Sequence, residues 1–200
     1  MGKLIMVRHG ESEGNAIRRF TTSGEAKITE LGRRQAREAA QRIKLKFQPR
    51  LVIASTFARA RETGLIIAAE LAIPIEYEAE FREMSLGNLA GQPYESLAND
   101  PTFDPKRSWA WRAPGGESHE DVLRRVAPVL DRVAGKYSDD EIVIVSHGGV
   151  MRAVWAHVTG KWENAHVPPN CGIVLIEHRN GRYREPEVVY GETPARESGG

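Results

Sequence analysis

Three short apolar runs, at 4–7, 51–54 and 142–145, show no polar alternation and are rich in β-branched residues. That pattern predicts strands buried on both faces, as in parallel sheets. Between the first two runs, Ile28, Leu31, Ala36, Ala39, Ala40, Ile43 and Phe47 recur at helical spacing, with Thr29 in the N-cap position and Glu30 in the first turn. They predict an amphipathic helix over 29–47. A second helix is predicted over 57–71, ended by Ile73-Pro74, and residues 75–77 open a further short strand. A third, over 119–136, carries Val122, Val126, Val129, Leu130 and Val133 on one face and should bend at Pro128. A fourth, over 150–159, comes directly after the third apolar run. Residues 171–176 and 183–189 read as strands about an Asn180-Gly181 hairpin turn.

Strands alternating with helices at these spacings predict an α/β fold: a single three-layer α/β/α domain over residues 1–190 with a mostly parallel central sheet. Residues 86–117, rich in Gly, Pro, Trp and Asn with one short helix near 94–99, read as a lid-like insertion over the strand ends. Residues 191–200, with Pro194 and a Ser-Gly-Gly end, read as a disordered tail.

Composition narrows the function more than the fold. The 28 basic residues against 27 acidic ones leave a net charge of +1, so no global field draws the chain to nucleic acid or an anionic membrane. Cys171 stands alone, which excludes an intramolecular disulfide and fits a reducing compartment. No window approaches a membrane span, and the N-terminus lacks the long apolar stretch of a signal peptide, so a cytoplasmic protein is expected. The oligomeric state is not legible.

In parallel sheets, ligands sit at the carboxyl ends of the strands. Here the first strand ends in Arg8-His9-Gly10-Glu11-Ser12, the second leads through Ser55-Thr56-Phe57-Ala58 to Arg59, and the third ends in Ser146-His147-Gly148-Gly149. Two arginines and two histidines in one small volume repel one another unless a dianion completes them, and a phosphate ester is the natural guest. Helix N-termini on the same side add backbone donors and positive dipole ends.

The run Val7-Arg8-His9-Gly10-Glu11-Ser12 with Asn15 resembles the signature of the histidine phosphatase superfamily, phosphoglycerate-mutase-like branch. Four further stations resemble its motifs in order: Ser55 to Thr63 around Arg59, Phe81-Arg82-Glu83-Met84-Ser85-Leu86-Gly87, Pro114-Gly115-Gly116-Glu117-Ser118, and Ser146-His147-Gly148-Gly149. The resemblance implies that His9 is the nucleophile that becomes a phosphohistidine, oriented by a carbonyl such as that of Gly10. It implies Arg8, Arg59, Asn15 and the Gly148 N–H as phosphate ligands, His147 as a cationic clamp, and Glu83 as general acid and then base. Ser12, Thr21, Thr22 and Arg112 are candidate substrate contacts. It implies no cofactor and no metal, and the six histidines show no His-x-x-x-His pairing.

The family contains mutases and phosphatases. Thirty residues, 84–113, separate the acid motif from the Pro-Gly-Gly-Glu-Ser loop, short for a mutase, and a short lid leaves a phosphoenzyme open to water. A phosphatase acting on a small phosphorylated metabolite is therefore favoured. The alternatives are a cofactor-dependent phosphoglycerate mutase, to which Arg19-Phe20-Thr21 points although Thr22 replaces the usual glycine, and a non-catalytic phosphometabolite-binding module, against which the presence of His9 and Glu83 speaks.

Overall fold

The structure, a computed structural model, describes residues 1–21 and 24–191. In chain order its elements are β1 (Gly2–Arg8), α1 (Glu13–Ala16), α2 (Glu30–Lys46), β2 (Leu51–Ser55), α3 (Ala58–Leu71), β3 (Ile75–Glu78), α4 (His119–Lys136), β4 (Glu141–Ser146), α5 (Gly148–Thr159), β5 (Ile173–Arg179), β6 (Arg182–Tyr183) and β7 (Glu187–Tyr190). The strands form one sheet ordered β3-β2-β4-β1-β5-β6, with β7 also paired to β5. The first four positions in that order are parallel, while β5 runs antiparallel to β1.

Period-two packing divides the strand side chains between two cores. Leu4, Met6, Ile53, Ile142 and Ile144 pack on the face covered by α4 and α5. Ile5, Val7, Val52, Val143 and Val145 pack on the other, beneath α2 and α3. Continuous apolar runs are thus explained: both faces of each central strand are covered. The architecture is three-layered α/β, as expected. The register pairs Arg8 with Ser146 and Ala54 with Val145, so the three strand ends lie level and deliver the residues just beyond them to one edge.

Local signals fix the helix starts. Thr29 accepts the Gly32 N–H at 3.1 Å to open α2. Ser118 and Asp121 form a reciprocal capping box at the head of α4, which runs on through Pro128 to Lys136. Asn180 and Gly181 both adopt positive φ, 51° and 72°, the conformation a two-residue hairpin turn requires.

Two expectations change. Cys171 is not in a strand: it takes φ 57° and donates its N–H to the Arg8 carbonyl at 3.0 Å, so β5 begins at Ile173. The last strand divides into β6 and β7 around Pro186, which has no N–H to give a ladder. The short helix expected near 94–99 is present as a 3₁₀ turn at Tyr94–Leu97, and the 86–117 segment holds two further 3₁₀ turns, at Gly87–Leu89 and Pro105–Arg107. Thr22 and nearly all of the expected tail lie outside the described residues. Among the described residues, no helix is long and apolar enough to cross a membrane.

Candidate active site

His9 leaves β1 with its backbone held on both sides. Its N–H donates to the Ser146 carbonyl at 2.9 Å, and its carbonyl accepts from Asn170 Nδ2 at 2.9 Å. The ring Nδ1 meets the Gly10 carbonyl at 2.7 Å. A carbonyl only accepts, so Nδ1 carries the proton and Nε2 keeps its lone pair. Gly10 can stand there because it has no side chain: a Cβ would lie 2.5 Å from the Gly32 carbonyl in the first turn of α2. Its N–H donates to Thr63 Oγ1 at 3.0 Å, and that hydroxyl donates to the Arg59 carbonyl.

Arg59 Nε donates to His9 Nε2 at 3.3 Å. Both residues are 3% exposed. Burial, then Arg59, then Arg8 hold the His9 pKa well below the usual histidine value, outweighing the Gly10 carbonyl, which favours the protonated ring. The imidazole is therefore neutral and nucleophilic at neutral pH.

His147 is the N-cap residue of α5 and is fully buried, its ring 5.1 Å from that of His9. Its Nε2 lies 2.8 Å from Ser55 Oγ, at the end of β2. Burial first, then Arg59, His9, Arg8 and Arg125, push its pKa well below 6.5. Burial and the neighbouring guanidiniums thus keep His147 neutral in the empty site, as the mutual repulsion of these groups without an anion predicts. Two buried nitrogens at this edge, His147 Nδ1 and Arg8 Nε, have no protein partner. The other end of Arg8 is anchored, Nη1 donating to the Pro168 carbonyl at 3.0 Å.

Glu83 is half-buried across the pocket, its Oε1 accepting the N–H groups of Met84 at 2.8 Å and Gly149 at 3.1 Å. The backbone behind it is fastened by Arg125 of α4, which donates to the carbonyls of Glu80, Arg82 and Glu83 and pairs with Glu117 at 2.9 Å. Burial alone would raise the Glu117 pKa, but Arg125, the Ser85 N–H and Arg82 hold it below the usual carboxylate value.

Asn15 lines the pocket but is heavily engaged: Nδ2 donates to Tyr94 Oη at 2.9 Å and Oδ1 accepts from Asn170 and Ser12. Ser12 is fully buried as the N-cap of α1, so it positions Asn15 rather than facing substrate. Thr21 lines the pocket, and Gly148 opens α5, where a Cβ would come 3.8 Å from Arg8 Nε. Arg112 does not line the pocket. Its guanidinium is mostly exposed and pairs at 2.5 Å with Asp121, a carboxylate in the first turn of α4.

The pocket has a volume of about 690 Å³. Four arginines line it, at 8, 59, 82 and 152, against Glu83 as the one carboxylate among the described residues. Phe20, Phe57, Leu97, Phe103 and Trp111 supply an apolar wall. Sequence reasoning missed Asn170, Tyr94 and Arg152. Arg152 had a legible signal, lying five residues after His147 on the helix that His147 caps. Among the described residues no three His, Cys, Asp or Glu side chains gather to hold a metal ion.

Comparison with known proteins shows the family. The chain is 31% identical over 176 residues to a metal-independent phosphoserine phosphatase of Arabidopsis thaliana, covering 82% of this chain and 74% of that protein. It is 33% identical over 187 residues to a probable phosphoglycerate mutase of Photorhabdus laumondii, covering 90% and 86%. In fold it resembles a mycobacterial glucosyl-3-phosphoglycerate phosphatase solved with VO3, with a TM-score of 0.84 at 24% identity, over 95% of this chain and 99% of that one. The model of the histidine phosphatase superfamily, branch 1, matches residues 4–189, and the chain belongs to that superfamily.

Proposed function

We propose that the protein is a metal-independent phosphatase that hydrolyses a small phosphate monoester through a phosphohistidine at His9. One observation carries this reading: a neutral imidazole, its tautomer set by the Gly10 carbonyl, stands among Arg8, Arg59 and His147 in the pocket that Glu83 faces.

The phosphoryl group enters with its oxygens taken by Arg8, Arg59, His147 and the head of α5. It replaces Arg59 as the partner of His9 Nε2. The Nε2 lone pair forms the N–P bond as the ester P–O bond breaks, and Glu83 gives its proton to the departing oxygen. Water then attacks phosphorus, Glu83 takes its proton, and the N–P bond breaks to release inorganic phosphate and neutral His9. The arginines neutralise charge on the phosphoryl oxygens throughout, the electrostatic part of catalysis. Relatives bearing the names of phosphoserine and glucosyl-3-phosphoglycerate phosphatases support hydrolysis of small phosphorylated metabolites over phosphoryl transfer between them. A cytoplasmic location belongs to the same reading, supported by a single cysteine that is buried and free.

The test is phosphate release from p-nitrophenyl phosphate in the presence of chelator, with rapid-quench trapping of a base-stable, acid-labile phosphoenzyme mapped to His9. His9→Ala should abolish turnover, and retention of about a tenth of wild-type activity would overturn nucleophilic catalysis. Robust interconversion of 3- and 2-phosphoglycerate with negligible phosphate release would establish the mutase instead.

A further inference from the structure

Arg152 lies one turn along α5 from Gly149, the residue whose N–H holds Glu83. Positions i and i+3 share a helix face, with a rise of about 4.5 Å. Its half-buried guanidinium lines the same pocket as the phosphate ligands. It makes no ion pair among the described residues, and it donates instead to a neutral partner, Ser108 Oγ, at 2.9 Å. Beside it stands His119, which also lines the pocket and whose buried Nδ1 has no partner. Burial first, then Arg152, disfavour a charged His119 ring, outweighing the Ser108 backbone, so the imidazole adds no second positive charge to this corner. An unbalanced, partly desolvated arginine is costly unless a ligand supplies the counter-charge. Trp111 and Phe103, packed edge to face, line the same pocket.

We propose that Arg152, with Ser108 and His119, forms a second anion site that holds a negatively charged group on the leaving portion of the substrate. The inference rests on the phosphatase reading, since Glu83 fixes where the leaving oxygen must sit. The group it would hold is a carboxylate or a second phosphate.

The test compares kcat/KM for 3-phosphoglycerate with that for glycerol 3-phosphate, which replaces the carboxylate by a hydroxymethyl group, and propane-1,3-diol bisphosphate with its monophosphate. The wild type should prefer the doubly anionic member of at least one pair by roughly tenfold or more, as a charged hydrogen bond provides. Arg152→Gln should bring that ratio to within about threefold of unity, and Arg152→Lys should keep part of it. A structural role for Arg152 would lower both members of a pair together and leave the ratio intact, which overturns the proposal. A wild-type ratio near one for both pairs overturns it whether or not the variant folds. Failure of the wild type to hydrolyse any ester, p-nitrophenyl phosphate included, removes the phosphatase reading instead. Calorimetric binding of the same two pairs to wild type then decides the anion site by itself.

Discussion

Arg125 does not touch the pocket, yet it holds the strand of chain that carries Glu83. Its side chain is 11% exposed and that of Glu117 21%, so Arg125→Met removes one partner of a mostly buried pair and strips donors from three carbonyls. Breaking a fully buried pair from one side costs 3–5 kcal/mol, and the remaining water contact of both groups places this case near the lower end, about 3 kcal/mol. For a chain of this size that corresponds to a fall in Tm of roughly 6–12 °C, read by thermal melting monitored by circular dichroism. Activity should separate from stability. At temperatures where the variant is folded, kcat should fall by roughly tenfold or more with little change in KM, because Glu83 is misplaced while the phosphate ligands are not. Arg125→Lys should recover part of the stability but little of kcat, since a single ammonium cannot reach three carbonyls as a guanidinium fork does. Adding Glu117→Gln to Arg125→Met should cost less than the two single changes summed, as no unpaired carboxylate remains. A Tm within about 2 °C of wild type together with unchanged kcat would refute the positioning of Glu83 by Arg125.

Two further outcomes depend on particular atoms. Gly149→Ala places a Cβ 2.5 Å from Glu83 Oε1, so it should leave folding intact but displace the acid; turnover of an alkyl phosphate should fall much more than that of p-nitrophenyl phosphate, whose leaving group needs no proton, and equal losses would contradict the role of Glu83. His119 is held at a pKa of about 4 against about 6.5 unfolded, so the unfolded chain binds the proton first and stability present above pH 6.5 is lost as pH falls toward 4. Urea titrations should show the pH 7 to pH 5 loss shrink by about 2 kcal/mol in His119→Gln, and an unchanged loss would sink the assignment.

The strands, helices and the edge where chemistry gathers were legible because they depend on local pattern. Both faces of β1, β2 and β4 are covered, so their sequences lack alternation, and residues just past such strands must converge. The site's first layer, Arg8, His9, Arg59 and His147, comes from that rule. What the pattern hides is set by competition between partners. Nothing local in Arg112 says that Asp121 will take it, and nothing in Arg152 says that no carboxylate will. Asn170 reaches the His9 carbonyl across 161 positions from a loop without periodicity, so its part in the site has no local signal. The protonation of His147 depends on burial and on arginines from β1, α3 and α4, none of which its own stretch of sequence reveals.

The same arrangement explains why both histidines can share one pocket. A lone arginine beside a buried imidazole only lowers its basicity, but here the tautomer is fixed as well, so suppression of the proton leaves a directed lone pair on His9 Nε2. In the proposed mechanism His147, kept neutral by burial and then by the same guanidiniums, regains a reason to hold a proton once a phosphoryl dianion enters between them. The anion thus acts oppositely on two rings 5.1 Å apart: it consumes the lone pair of one and favours the N–H of the other. Backbone N–H groups of Met84 and Gly149 fasten the Glu83 carboxylate across the pocket, and in the proposed mechanism it serves the departing oxygen. Division of labour among nucleophile, clamp and acid is therefore a consequence of which partner each side chain finds at the edge of the sheet, with the residue types alone insufficient to assign it.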